Sequence, residues 1–248
     1  MTREKICKIS SPFFLILFWY GAAAIIRAPL ILPFPHSVLI RLFELARTII
    51  FWQAFLITFL RVIIAFIISF AAGFFMGLFA ADCAAFKAFI EFPLELVRAT
   101  PVIAVILPAL FWFNSDIVPV FVTVLMCLPI VITAGEKGFE KNPENIEKLF
   151  KVNSRGITGL KAFFYIRLPS AKPALLSGAE SSFGLSWKVV AAGEVLSIPK
   201  HAAGSLMQQA QVHLETCDVL AVTISLILIS SLCQLGIKFL AKARSKNQ

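Results

Sequence analysis

Charged residues are scarce in this chain. Asp, Glu, Lys and Arg make up 15% of its 248 residues, whereas about 25% of the residues in a soluble domain are charged. Hydrophobic residues make up 59%, and the mean hydropathy is +0.87. This composition excludes an ordinary soluble domain and predicts an integral membrane protein that contacts the lipid bilayer. The net charge of +9 then indicates cationic loops beside the cytoplasmic leaflet, and no nucleic-acid partner is expected.

Sequence motifs of enzymes and metal sites are also absent. The chain has no GxxxxGK loop to hold nucleotide phosphates, no HExxH zinc motif and no GxSxG motif of a serine nucleophile. Its five cysteines form no CxxC pair and are expected to be small apolar side chains. We therefore predict no catalytic residues, no metal and no cofactor. The function classes that remain are membrane transport and a membrane scaffold.

Long apolar runs are what the sequence has instead. A membrane-spanning helix needs about 20 mostly apolar residues, and the sequence predicts six spans in a single transmembrane domain over residues 1–248. The predicted ranges are 12–26, 54–80, 101–113, 117–133, 173–197 and 218–239. The third and fourth come from one long run that polar residues and Pro119 interrupt. Gly73 and Gly77 in the second span permit close packing against another helix. The predicted fold is an all-α, polytopic membrane protein.

The distribution of Lys and Arg predicts the orientation. Residues 135–172, called the charged segment below, contain eight of these cations, and the tail after residue 237 contains four. The loop between the fifth and sixth spans contains only Lys200. Because Lys and Arg concentrate in cytoplasmic loops, we expect the charged segment and both termini in the cytoplasm. The basic start of the chain precedes an apolar run without a small-residue cleavage site, which favours a retained first helix over a signal peptide.

Two segments outside the spans are predicted to be helices along the membrane surface. Residues 33–53 have apolar side chains at helical spacing and form the outer amphipathic segment. Residues 82–98 mix charged side chains with Phe and Leu, which indicates a short helix on the cytoplasmic side.

Polar residues inside the fifth span are the candidates for a site. Ionisable side chains are costly in a membrane, and they usually face a bundle interior or a water-filled path. Lys188 lies near the middle of this span, with Trp187 beside it and Glu194 further along. We predict that these three residues and Trp112 line a translocation path, and a buried ion pair or polar helix contact is the alternative. Arg61 in the second span is near enough to the helix end to reach the outer interface.

The charged segment is predicted to bind a soluble partner. Asn142, Pro143 and Glu144 suit the first turn of a helix, and Gly156 and Gly159 indicate a turn before a second one. Apolar side chains occur throughout, although a solvated loop would not need them: Leu149, Phe150, Leu160, Phe163 and Phe164. Two short helices with these side chains exposed would form a docking surface.

Three stretches, in order, resemble the inner-membrane permease subunits of bacterial ABC importers, in the branch for nitrate, sulfonates, taurine and related small organic molecules. The first is residues 32–38 and the amphipathic helix after them. The second includes Arg98-Ala99-Thr100-Pro101 and the run Leu107-Pro108-Ala109-Leu110-Phe111-Trp112-Phe113. The third runs from Leu168-Pro169 through the stretch 184–195 to Asp218. The resemblance covers nearly the whole chain.

This resemblance implies a type I ABC importer permease, which is a transport subunit and not an enzyme. Two permease copies, expected to form a homodimer, would enclose the path in the bacterial inner membrane. Cytoplasmic ABC ATPase subunits would dock on the charged segment and switch the path between two rigid-body arrangements. An extracytoplasmic solute-binding protein would deliver a small organic solute. An anionic group on that solute would suit Lys188.

The family's coupling motif is roughly E-A-A-x-x-x-G with L-P thirteen residues after the glycine. It can be placed on the chain in two registers, and neither restores E-A-A. In one register Gly156 is the glycine and Phe150 replaces the glutamate. In the other Glu147 is the glutamate and Asn153 replaces the glycine. The residues assigned to ATPase coupling are Glu147, Leu149, Phe150, Val152, Asn153, Gly156 and Ile157.

Two functions of other classes stay open. A secondary carrier or channel would act without an ATPase, and it would need ion ligands beside broken helices and an inverted repeat. A membrane scaffold would dock a soluble partner through the charged segment, and it would not need Lys188 and Glu194 inside a span.

Overall fold

The structure is a computed structural model, and it describes residues 3–140 and 163–245, with side chains described for 10–140 and 163–236. The helices before the gap are α1 (Arg3–Ile26), α2 (Pro35–Ala46), α3 (Ile49–Asp82), α4 (Ala84–Ala99), α5 (Val102–Trp112) and α6 (Val118–Glu140). After the gap a π-helical turn (Phe163–Arg167) leads into α7 (Leu168–Ser197), α8 (Ala203–Val212) and α9 (Thr216–Ser245). The described residues form no strand, which confirms the predicted all-α fold.

Three helices are long and apolar enough to cross a membrane: α3, α6 and the Thr216–Gly236 part of α9. The helices α4 and α5 pass the same test together, but they are bent by 102° at the break between them. The 11 residues of α5 alone would rise about 16 Å, about half of the hydrocarbon thickness. The apolar part of α1, Ser10–Ile26, is also short. The count of six spans therefore stays a prediction.

Helix α6 lies at the centre of the bundle, between α3 and α7. Glycines make this packing close: a Cβ on Gly77 would lie 2.7 Å from the carbonyl oxygen of Ile132, and one on Gly73 would lie 2.6 Å from Cβ of Val131. On the other side of α6, a Cβ on Gly178 would overlap Cβ of Ala134. The close contact that the sequence predicted for Gly73 and Gly77 is thus made within the chain, with α6.

The outer amphipathic segment 33–53 divides into two elements. Helix α2 ends at Ala46, and the long helix α3 begins at Ile49 because the Thr48 hydroxyl accepts a hydrogen bond from the backbone N–H of Phe51. Arg41 of α2 joins Asp218 of α9 through two hydrogen bonds, of 2.5 and 2.9 Å. The hydrogen bond with Asp218, and then that with Glu44, raises the pKa of Arg41 above its usual range. The predicted helix at 82–98 is present as α4.

Candidate translocation path

An open groove of about 630 Å³ lies between α7 and α9. Helix α7 contributes side chains spaced three, four and seven residues apart, which places them on one face of the helix. Ile130 of α6 closes one side. The polar residues along the groove are Glu180, Ser181, Lys188, Ser230, Ser231 and Gln234. The lining is therefore mixed, with apolar walls and polar groups at intervals, which suits the passage of a small polar molecule.

Two of the predicted path residues line this groove. Lys188 is exposed, and its side chain lies on the open face of α7. Trp187 is only 3% exposed and its ring packs at 6.1 Å from that of Phe59. Within the described part of the chain, the buried Nε1–H of Trp187 has no hydrogen-bond acceptor. A buried donor without a partner costs free energy, and this N–H is enclosed by the protein, so a molecule in the groove does not contact it in this arrangement.

Helix α9 supplies groove residues that the sequence analysis did not select. Gln234 lies against α7, where a Cβ on Gly184 would be 3.3 Å from the Gln234 side-chain oxygen. Ser230 lies one turn earlier on the same helix and also lines the groove. Their spacing of four residues was a usable signal, because polar side chains at that spacing share one helix face.

A second cavity, of about 460 Å³, lies nearer to the charged segment. It shares Ile130 and Ser181 with the groove, so the two adjoin along α7. Two cations line it, Lys137 of α6 and Arg98 of α4. Arg98 is held in place because its Nη2 donates to the Thr133 hydroxyl and, at 3.2 Å, to the carbonyl of Pro129. Cationic side chains therefore line both the groove and the second cavity.

Glu194 does not line either cavity. It is fully buried in a cluster, called the Glu194 cluster below, that joins α3, α7, α8 and the loop before α6. Its carboxylate accepts hydrogen bonds from Nη1 of Arg61 at 2.8 Å, from the Thr58 hydroxyl at 2.8 Å and from the backbone N–H of Gly204 at 3.1 Å. Nη2 of Arg61 lies 2.7 Å from Asp116. This is the buried ion pair that the sequence left open as the alternative.

The same cluster corrects the expectation for Arg61. The sequence analysis expected its side chain to reach the outer interface, but the residue is 8% exposed and paired with Glu194. Arg61 pairs with Glu194 and does not extend to the interface, because burying an ionised Glu194 without a cation would be more costly than burying both charges together.

The remaining predicted residues lie elsewhere. Trp112 is 71% exposed at the end of α5 and lines neither cavity. The coupling residues Glu147, Leu149, Phe150, Val152, Asn153, Gly156 and Ile157 fall outside the described residues. Their assignment stays a prediction.

Residues 72–246 match the protein family described as "Binding-protein-dependent transport system inner membrane component". The chain belongs to this family. The resemblance inferred from the sequence motifs is confirmed, and the protein is a permease component of a binding-protein-dependent ABC importer. It is not an enzyme, since ATP is hydrolysed by a separate subunit in such importers.

Individual relatives agree with this assignment. The permease is 23% identical to the taurine transport system permease protein TauC of Escherichia coli (strain K12), over 98% of this chain and 90% of the relative. It is 29% identical to SsuC of the same organism, which is named as an aliphatic sulfonates transport permease protein, over 79% of this chain and 73% of the relative.

A solved structure shows the same fold. A chain in the inward-facing MetNI methionine ABC transporter matches the permease with a TM-score of 0.59 and 15% identity, over 77% of this chain and 93% of that chain. At this identity the match supports the fold alone. It agrees with the type I importer permease architecture that the resemblance implied.

Proposed function

We propose that this permease imports a small organic solute with an anionic group, and that the solute moves along α7 through the groove and the second cavity. The observation that carries the proposal is the exposed ammonium of Lys188, which lines the groove on the open face of α7. A sulfonate or carboxylate has several acceptor oxygens and could accept hydrogen bonds from this ammonium. The names of the taurine and aliphatic sulfonate relatives support this class of solute.

The charged side chains along the groove and the second cavity would allow a solute to move through them and would not hold it tightly at one place. Lys188 lies in the groove, and Arg98 and Lys137 lie in the next cavity, so a solute anion would pass from one cation to others. Glu180 lies between them on the same face of α7. Its carboxylate would repel an anion and would attract the ammonium group of a zwitterion. Transport requires binding sites that are favourable enough to enter and weak enough to leave.

The proposal includes the partners that the family implies. Cytoplasmic ABC ATPase subunits would dock on the charged segment, through residues Glu147 to Ile157, and an extracytoplasmic solute-binding protein would deliver the solute. A second permease copy would close the open side of the groove in a homodimer, because the groove faces outward from a single chain. Both termini would lie in the cytoplasm of a bacterial cell, in keeping with the positive-inside rule.

Reconstitution tests this function. Tagged permease is extracted gently from its native membrane, and the preparation is assayed for ATP hydrolysis and, in proteoliposomes with the binding protein, for uptake of radiolabelled taurine and short alkanesulfonates. We expect ATP-dependent uptake and a stoichiometric ATPase that is lost when residues 149–157 are replaced by a Gly/Ser linker. Uptake by the permease without any ATPase would support a secondary carrier. A copurifying partner without any flux would support a scaffold.

The role of Lys188 is tested by substitution. Lys188→Gln removes the charge and is expected to lower sulfonate uptake about tenfold, because a hydrogen bond with a charged group contributes about 1.5–3 kcal/mol. Lys188→Arg keeps the charge and should retain most of the uptake. Lys200→Gln is the matched control, since Lys200 is an exposed lysine outside both cavities. Unchanged uptake of every anion by Lys188→Gln would contradict the proposal.

A further inference from the structure

Two groups of ion pairs fasten both ends of the charged segment to one corner of the bundle. The corner is the break between α3 and α4, at Cys83. The last described residue before the gap is Glu140, and the first one after it is Phe163. Charged side chains next to each of these ends reach the same corner from opposite sides.

The first group joins the returning end to α3. Arg167, at the end of the π-helical turn, donates hydrogen bonds to the Asp82 carboxylate from both Nη1, at 3.0 Å, and Nη2. A two-point contact of this kind sets the orientation of both side chains. The guanidinium also lies 5.8 Å from the ring centre of Phe139. Asp82 is the last residue of α3, where the helix dipole disfavours an acid, so helix stability does not explain this aspartate.

The second group joins the outgoing end to α4. Nζ of Lys87 lies 2.7 Å from the carboxylate of Glu136 and 2.8 Å from that of Glu140. Both acids are on the last turns of α6, one turn apart, so Lys87 bridges them. Lys87 follows Asp82 by five positions, and the two groups therefore lie on either side of the same break.

These ion pairs are not what holds the corner folded. An apolar layer beneath them does so, with the Phe139 ring packed 5.5 Å from Phe74 and 6.1 Å from Phe163. A Cβ on Gly138 would lie 3.1 Å from Ala171, so α6 and α7 are also in close contact here. Exposed ion pairs contribute little to stability, and most of these side chains are a third or more exposed. They therefore contribute little to the stability of the corner.

Helix α4 connects this corner with the translocation path. Lys87 is in its first turn, and Arg98, in its last turn, lines the second cavity and binds Pro129 and Thr133 of α6. The two cations are eleven positions apart along the helix, a rise of about 16 Å. A displacement of the corner would therefore reach the cavity through one continuous helix, which contains Pro93 between the two cations.

We propose that the Asp82–Arg167 pair and the Lys87–Glu136–Glu140 group are positioning residues that transmit the motion of the charged segment to α4 and, through Arg98, to the path. This inference rests on the proposed function, because the motion comes from docked ATPases. Its consequence is specific: without the ion pairs the ATPases still dock and hydrolyse ATP, but less solute moves for each ATP.

The test measures solute uptake and ATP hydrolysis in the same proteoliposomes, with the ATPase subunits and binding protein present. Asp82→Asn and Arg167→Gln break the first group, and Lys87→Gln breaks the second. We expect ATP hydrolysis to be retained and uptake per ATP to fall about fivefold or more, the lower range of coupling between sites. Glu95→Gln, an exposed carboxylate on α4 with no ion pair among the described residues, is the control and should leave the ratio unchanged.

A charge swap separates transmission from a folding defect. The double substitution Asp82→Arg with Arg167→Asp restores opposite charges at the same positions and should recover most of the uptake per ATP. An unchanged ratio in all three single variants would overturn the inference while the unchanged protein still transports. Loss of the ATPase from the purified complex would also overturn it, because the ion pairs would then serve docking. If the unchanged protein itself shows no ATP-dependent uptake, the proposed function fails first.

Discussion

The Glu194 cluster predicts a large loss of stability when its carboxylate is removed. Glu194→Ala would delete the acceptor for Arg61, Thr58 and the N–H of Gly204 in a site with no exposure. Breaking a buried ion pair by removing one partner costs about 3–5 kcal/mol. Arg61 would keep Asp116, whose side chain is 63% exposed, so we expect the lower end, about 3 kcal/mol. Glu194→Gln keeps a side-chain oxygen that accepts hydrogen bonds, so it should lower the free energy of unfolding by less than Glu194→Ala.

The buried Cys127 thiol allows this loss to be measured. Cys127 is fully buried, so a fluorescent maleimide reacts with it only when the bundle opens on heating. The assay uses purified protein in detergent, in which the other cysteines are replaced by serine: Cys7, Cys83, Cys217 and Cys233. For a chain of this size, 1 kcal/mol shifts the melting midpoint by about 2–4 °C. Glu194→Ala should therefore lower the midpoint by about 6–12 °C.

Glu180→Gln is the matched control for this measurement. It removes a carboxylate from the same helix, but Glu180 lines the groove and is not in the Glu194 cluster. We expect its melting midpoint to stay near that of the unchanged protein. A midpoint for Glu194→Ala equal to that of the control would refute the reasoning. A Glu194→Gln variant with an unchanged melting midpoint but abolished uptake would indicate that Glu194 acts in the translocation path.

Two further predictions concern packing and solute binding. Gly77→Ala places a Cβ 2.7 Å from the backbone oxygen of Ile132, so overpacking should destabilise the bundle by about 1–3 kcal/mol. Gly21→Ala, with nothing within 4 Å of the new Cβ, should leave the melting midpoint unchanged, and equal midpoints for the two variants would contradict the close α3–α6 contact. Trp187→Phe removes the enclosed N–H together with part of the indole ring, so it should lower the melting midpoint by leaving a cavity in the core, while binding of radiolabelled taurine to the purified permease should stay unchanged. A Kd raised about tenfold would show that this donor contacts the solute after all.

Much of the fold followed from local features of the sequence. Apolar runs of the right length predicted helices, and the mixed composition of residues 82–98 predicted the separate helix α4. The ordered motifs between Leu32 and Asp218 identified the family that the comparison of residues 72–246 then confirmed. These features are readable because each depends on residues that are close together in the chain.

Helix geometry limited the prediction at two places. The run 101–113 was expected to be a span of its own; in the structure α5 over this run is short and bends by 102° from α4, so that span stays a prediction. Residues 33–53 were expected to be one amphipathic segment, but Thr48 caps the start of α3 inside it. Composition indicates where a chain is apolar, and it does not indicate the angle between two helices.

By itself the sequence determined that this is a helical membrane permease and that the fifth span has a polar face with Lys188 in it. Only the tertiary structure decided which polar residue faces the groove and which is enclosed. Glu194 and Arg61 are 133 residues apart in the chain and 2.8 Å apart in space, whereas Lys188, six residues before Glu194, stays open. Six residues along a helix turn a side chain by about 240°. The partner of Glu194 is Arg61 of another helix, α3, and no local pattern in the sequence identifies it.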